Sequence, residues 1–256
     1  MIIRMKMIFL ALIILSTSLF AQMEHRFGID QSKQLVVVVA KDWNTDNGQL
    51  YLFEQNDSNE WSQTAGPWNV MLGDSGLAWG VGLYDNPPGE RQKREGDHRS
   101  PAGVFELGDF FGYDSIPPTG VRFPYHYATK TLHCVDDTGS VFYNSLVDES
   151  QVIRDSAGHL PWNSSEVMRL DSVDYKYGIV VKHNPRAIPG MGSCIFLHLN
   201  SYSHSPTVGC TAMEEDQMLQ LMRWLDPEKY PLLVQLPVDA YYARLTNWNL
   251  PVLPDK

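Results

Sequence analysis

Apolar residues in this chain come in short runs broken by turn formers, and that pattern constrains the fold more than any other feature. Gln34 to Ala40 (QLVVVVA) is short, β-branched and continuously apolar at its centre, which predicts a buried strand. Asn47-Gly48 ahead of Gln49 to Phe53 predicts a hairpin. Strand-like runs recur at Trp68 to Met71, Leu77 to Leu83, Val104 to Leu107, Tyr177 to Lys182, Ser193 to Leu199 and Leu232 to Leu236. Residues 85–103 are polar and rich in turn formers. Residues 110–172 are aromatic-rich with weak periodicity, which predicts loops and short elements. Helical spacing is carried by Met218, Leu219, Met222 and Leu225, so a helix is expected over Met213 to Leu225, stopped by Asp226-Pro227. Val238 to Trp248 is a candidate closing helix. Strands dominate and helices are few, which predicts a mostly-β or α+β fold in a single domain.

The first 21 residues read as a secretory signal. Arg4 and Lys6 precede the apolar run Met7 to Leu15, and Phe20-Ala21-Gln22 offers a cleavage site after Ala21. The run is too short for a comfortable membrane span, and no later segment approaches ~20 apolar residues, so residues 22–256 are expected to carry no stable span. Removing residues 1–21 takes away two positive and no negative charges, moving the formal net charge from -10 to -12. An acidic chain of this kind argues against a nucleic-acid partner, whose affinity rests on Lys and Arg neutralising phosphates. The oligomeric state is left open.

The chemistry concentrates in Cys194-Ile195-Phe196-Leu197-His198 and Thr207-Val208-Gly209-Cys210-Thr211-Ala212-Met213. His198 closes a strand-like run, and Cys210 follows a glycine. Thr211-Ala212-Met213-Glu214 has the pattern of a capping box, which would put Cys210 at the mouth of the following helix. Backbone N–H groups and the dipole there favour an anion, and so predict a lowered thiol pKa. A nearby histidine would serve as base or imidazolium partner. Gly209 allows close approach of a substrate, and N–H groups at this turn could form an oxyanion site. A cysteine enzyme is therefore expected. Set against this, a free cysteine is often a small buried hydrophobe, and a lone histidine at a strand end is often a satisfied core residue.

The chain has three cysteines, at 134, 194 and 210. Either Cys134 pairs with Cys194 and leaves Cys210 free, or all three are reduced and buried. His183 and His204 are weaker candidates, the latter in a Ser- and Tyr-rich loop that could cover a site. His126, His133 and His159 receive no role, and Asp97, Asp136 and Asp137 read as turn or solvated carboxylates. His198, His204 and Cys210 are zinc-ligand types. However, there is no His-Glu-x-x-His and no Cys-x-x-Cys, so no metal site is expected.

The pattern His198 … Thr207-x-Gly209-Cys210 resembles the signature of the L,D-transpeptidase catalytic-domain family, bacterial cell-wall enzymes. Glu95-Gly96-Asp97-His98-Arg99-Ser100-Pro101-Ala102-Gly103-Val104-Phe105 is similar to that family's Gly-Asp-x-x-Thr-Pro-x-Gly-x-Phe stretch. Tyr143-Asn144, Asn184, Gly192-Ser193-Cys194 and Gly209-Cys210-Thr211-Ala212-Met213 extend the likeness to a divergent branch, and the resemblance implies a catalytic domain over residues 22–256 with its core about residues 34–236. The resemblance implies a β-rich fold and a cofactor-free enzyme of the periplasm or cell envelope. Cys210 would attack an L,D-peptide bond of a peptidoglycan stem and form a thioester. By position it implies His198 as base and the Gly209–Cys210 backbone as oxyanion site. Thr207, Thr211, Asn184, Ser193 and His204 would contact substrate. Val208 replaces the family's histidine before Gly-Cys, Ala212 replaces a polar residue, and the His198-to-Cys210 loop is short. These departures leave open whether an amine (transpeptidation) or water (an L,D-carboxypeptidase or endopeptidase) takes the acyl group. Two rivals of other classes are a zinc hydrolase, which a chelator would inactivate, and a non-catalytic wall-binding module, which would bind muropeptides unchanged after Cys210→Ala.

Overall fold

The structure is a computed structural model that describes residues 28–200 and 205–254. The segment read as a signal peptide, and His204, lie outside the described residues. Thirteen strands are present among them: β1 (Gln34–Ala40), β2 (Asn47–Gln55), β3 (Trp61–Met71), β4 (Leu77–Trp79), β5 (Ser100–Gly112), β6 (Tyr125–Tyr127), β7 (Leu132–Cys134), β8 (Leu146–Asp148), β9 (Glu166–Val167), β10 (Tyr177–Val181), β11 (Phe196–Leu199), β12 (Thr211–Met213) and β13 (Leu232–Pro237). Two α-helices accompany them, α1 (Glu215–Trp224) and α2 (Val238–Tyr242). None of the described helices is long and apolar enough to cross a membrane.

The main sheet runs β10-β11-β12-β3-β2-β1-β13-β5-β4, with β6 beside β5. A further pairing of β10 with β5 closes it into a barrel. The 13-residue β5 makes closure possible by changing partners along its length, from β13 at residues 103–106 to β10 at residues 107–112. β1 lies between β2 and β13 and is buried along its whole length, as its continuous apolar run demands. Leu35, Val36, Val37 and Val38 are fully excluded from water, and each such side chain contributes about 1.5–3 kcal/mol of burial. Gln34 ties this strand to the end of α1, accepting from the Asp226 N–H at 2.8 Å and donating to the Trp224 carbonyl at 2.9 Å.

Several local expectations are displaced. The β1–β2 turn lies upstream of Asn47-Gly48, at Asp42 to Asp46, where Asp42 Oδ1 accepts from the Asn44 N–H at 2.9 Å. Gly48 is already in β2, opposite Ala40, and a Cβ there would lie 2.8 Å from the Val39 carbonyl oxygen. The run Leu77 to Leu83 is a strand only through Trp79, and Ser193 to Leu199 only from Phe196. The closing helix is one short turn, Val238–Tyr242. The main helix begins at Glu215, because Thr211–Met213 is a buried strand pairing in parallel with β11.

Residues 110–172, the stretch without periodicity, hold the end of β5, β6 and a second sheet in the order β8-β7-β9. This small sheet caps one side of the barrel. Cys134 at the end of β7 is bonded to Cys194, just ahead of β11, with Cα atoms 5.9 Å apart and a separation of 60 positions in sequence. Of the two states left open for the cysteines, the paired one is present, and Cys210 is free.

Candidate active site

Two polar motifs far apart in sequence meet at Cys210. Ser100 Oγ donates to the Cys210 carbonyl at 2.9 Å and Thr207 Oγ1 donates to the same oxygen at 2.7 Å. Thr207 Oγ1 also accepts from the Gly209 N–H at 3.1 Å, which closes a tight turn. Gly209 has φ 146°, and a Cβ there would sit 3.3 Å from the Arg99 carbonyl, so only glycine fits comfortably. Ser100 thus joins the 95–105 motif to the cysteine loop. On the other side of β12, Thr211 donates to Gln235 Oε1 at 2.8 Å while Gln235 Nε2 donates to the Pro101 carbonyl at 2.9 Å. These buried bonds fix the height of the turn relative to the barrel.

Side chains alternate along a strand, so Phe196 and His198 of β11 face one way together with Ala212 of β12, and Cys194 and Cys210, just ahead of the two strands, pack with Phe196. That face opens on a cleft of about 260 Å³, lined among others by Glu166, Asp174, Tyr175, His198, Thr207, Val208, Cys210 and Ala212. A larger groove of about 400 Å³ lies elsewhere, between Val39, Tyr51, Tyr242 and Leu253, and neither Cys210 nor His198 lines it.

His198 Nδ1 lies 2.6 Å from the Leu199 carbonyl oxygen. A carbonyl only accepts, so Nδ1 carries the proton and Nε2 presents its lone pair. The ring stands edge-on to Tyr175, centroids 5.3 Å apart. Burial holds the His198 pKa below its ordinary 6.5, against the pull of the Leu199 carbonyl and the Asp174 charge. The imidazole is therefore neutral at pH 7.

Cys210 departs from the lowered thiol pKa expected of it. The residue is 6 % exposed and lines the cleft. Burial, with the charge of Glu166 added, pushes the thiol well above its usual pKa; the Phe196 N–H and Lys93 pull the other way. The helix-mouth expectation fails because Thr211 to Met213 is spent on β12 and α1 starts five residues beyond the sulfur, out of reach of a terminus effect that dies within one turn. The thiol donates towards the Cys194 carbonyl at 3.6 Å, and the Phe196 N–H points at the sulfur at 3.3 Å. Cys210 rests as a thiol in the same cleft as His198.

The other expected site residues divide clearly. Thr207 reaches the cleft but spends its hydroxyl on the turn. Thr211 faces Gln235, away from the cleft. Asn184 is wholly buried at φ 51°, donating to the carbonyls of Ile188 and Gly192 and accepting from the Ile188 N–H. It shapes the 184–192 loop. Ser193 Oγ donates to Glu95 Oε2 at 2.9 Å, beside the Tyr143 hydroxyl that bonds the same oxygen. Asp97, read as a turn residue, also accepts from buried Lys93 Nζ at 2.5 Å. His183, buried and pushed down to about 4 by burial, bonds the Met191 carbonyl and is not part of the cleft wall.

Glu166 and Tyr175 are the cleft residues that sequence reasoning missed. Glu166 opposes Cys134 in the cap sheet, and the disulfide carries that sheet to the strand ahead of His198. The Tyr175 hydroxyl donates to Glu166 Oε2 at 2.5 Å. Nothing local marks either residue; the cysteine pairing was the one available signal.

The family model described as L,D-transpeptidase catalytic domain (YkuD) matches residues 36–238. No curated protein and no solved structure matches the chain.

Proposed function

From the premise that this chain belongs to the L,D-transpeptidase catalytic-domain family, whose function is of L,D-transpeptidase type on peptidoglycan, we propose that it is a cysteine acyltransferase working through a thioester on Cys210. The observation that carries this reading is the pairing in one cleft of a neutral His198, its Nδ1 proton committed to Leu199, with the only free cysteine of the chain.

The chemistry follows from the resting protonation states. A stem peptide lies in the cleft with the carbonyl of its L,D bond above the sulfur. His198 Nε2 takes the thiol proton as Cys210 Sγ attacks, so the thiolate forms only as it is consumed. The Phe196 N–H steadies the sulfur as charge develops. Because the Gly209 N–H is committed to Thr207, the N–H of Cys210 itself is the oxyanion donor in this scheme. The C–N bond then breaks, His198 returns its proton to the leaving amine, and the acyl group remains on sulfur. Attack by an incoming amine, with His198 again as base, gives the cross-linked product and restores the thiol. No cofactor takes part. The substrate places the protein in the cell envelope, and residues 1–21 serve as its export signal.

Purified protein incubated with defined tetrapeptide muropeptides and an amine acceptor should yield cross-linked products resolved by mass. Intact-mass measurement should show an adduct on the wild type, with the muropeptide or with a carbapenem-type β-lactam, and none on Cys210→Ala. Persistence of the adduct in that variant would overturn the assignment of the nucleophile. Exclusive hydrolysis at saturating acceptor would replace the transferase with a cysteine hydrolase.

A further inference from the structure

The cleft is built from two unlike halves. One is the barrel wall with Cys210 and His198; the other is contributed by Glu166 of the cap and by the turns between β9 and β10, with Leu170, Asp174 and Tyr175. Among the described residues that line it there are two carboxylates and no lysine or arginine. Glu166 is tethered twice. Its backbone pairs with Cys134, whose sulfur is bonded to Cys194, and its carboxylate is held by the Tyr175 hydroxyl. Cys194 in turn receives the Cys210 thiol on its carbonyl. A short covalent and hydrogen-bonded circuit therefore sets the carboxylate in the same cleft as the nucleophile. Burying an acid beside a thiol that must ionise works against thiolate formation, so the nucleophile gains nothing from it. A cationic substrate group would repay that arrangement.

Resting on the acyltransferase reading above, we infer that Glu166, positioned by Tyr175, is the specificity residue that receives the ammonium group of the acceptor. Binding as an ion pair brings the amine to the face of the thioester opposite the barrel wall. Glu166 then accepts one proton from the ammonium, leaving a neutral nitrogen whose lone pair attacks the thioester carbonyl. As the C–N bond forms and the C–S bond breaks, the second nitrogen proton passes through His198 to the Cys210 sulfur, and Glu166 releases its own proton to solvent. Burial, with the charges of Asp136 and Glu95 added and the Tyr175 hydroxyl opposing, brings the Glu166 carboxyl to about 7, which suits a group that must take up and release a proton near neutrality.

The test supplies a defined tetrapeptide donor with either of two acceptors at pH 7. The side-chain amine of Nα-acetyl-L-lysine is an ammonium ion there, whereas O-methylhydroxylamine is neutral. Glu166→Gln should raise KM for the lysine derivative at least tenfold and change KM for the neutral acceptor less than twofold, with product shifting to hydrolysis only in the lysine reaction. Tyr175→Phe should show the same selectivity with a smaller rise, and Glu166→Asp should recover part of the loss. Should Glu166→Gln fail to fold, the other two variants carry the measurement. Equal effects on both acceptors, or none, overturn the role of Glu166 while leaving Cys210 as nucleophile. A wild-type protein that forms no adduct on Cys210 overturns the underlying reading, and this inference with it.

Discussion

The closed barrel and the three-stranded cap beside it are held by different forces, and the cleft lies where they meet. The barrel is a continuous ladder around an apolar interior; every residue of β1 and β13 is buried. The cap has strands of two or three residues, and β8 and β9 are only half-buried. Large apolar side chains stand exposed in that region, among them Val141 and Ile153. A sheet of that size is marginal without outside support, and the Cys134–Cys194 bond supplies it. On the reading proposed above, the barrel would provide a rigid nucleophile and base, whereas the cap provides a wall held by one covalent link and by hydrogen bonds such as those of Asn144 to the His183 and Asn184 carbonyls. The proposed roles turn this difference into an expectation: perturbing the barrel wall should affect both half-reactions, and perturbing the cap mainly the second.

The sharpest break comes at the nucleophile. Cys210→Ala should abolish thioester formation with little change in thermal stability, and wild-type Cys210 should alkylate at pH 7 more slowly than a model thiol, since burial raises its pKa. Rapid alkylation would show that the cleft holds a preformed thiolate. Next in size, His198→Ala should lower kcat/KM by roughly 10²–10⁴-fold. The pH profile of wild-type acylation, the half-reaction in which Glu166 takes no part, should carry an acid limb as well. With His198 as the proposed neutral base, acylation is present above its folded pKa and lost as pH falls through it, at a midpoint below the ordinary 6.5. A midpoint above that value would mean an imidazolium stabilised by a partner.

Removing the tether is the third test. Cys134→Ser combined with Cys194→Ser opens a link spanning 60 residues and should cost roughly 2–4 kcal/mol in denaturant unfolding. Amide exchange should accelerate in β7 to β9 and hold steady in β1 and β13. Uniform acceleration would contradict the division between barrel and cap. The smallest effect is expected at Thr211, which faces the barrel interior. Thr211→Val strands the Gln235 carbonyl oxygen and should cost roughly 1–3 kcal/mol. KM for donor and acceptor should stay put; a raised KM would return Thr211 to the substrate contacts.

Much of the barrel was legible because its information is local. QLVVVVA can hardly be other than a central strand, and Leu232 to Leu236 and Tyr177 to Lys182 carry the same mark. The cysteine loop was legible through Gly209, Cys210 and Thr207, residues tied to one backbone turn. Reading Thr211-Ala212-Met213-Glu214 as a helix cap went wrong because cap propensity is worth about 1 kcal/mol, less than a buried parallel pairing with β11 plus the Gln235 bond.

Composition and periodicity by themselves determined a β-rich domain with one substantial helix, and motif spacing determined which cysteine and histidine to examine. Only the tertiary structure decided that the cysteine rests protonated, that Asn184 and Thr211 serve the scaffold, and that Glu166 shares the cleft. Each of those depends on burial or on partners brought from 24 to 40 residues away. Periodicity encodes which way a side chain faces along its own strand, but a pKa or a cleft wall is set by whatever the closed barrel and its disulfide bring opposite.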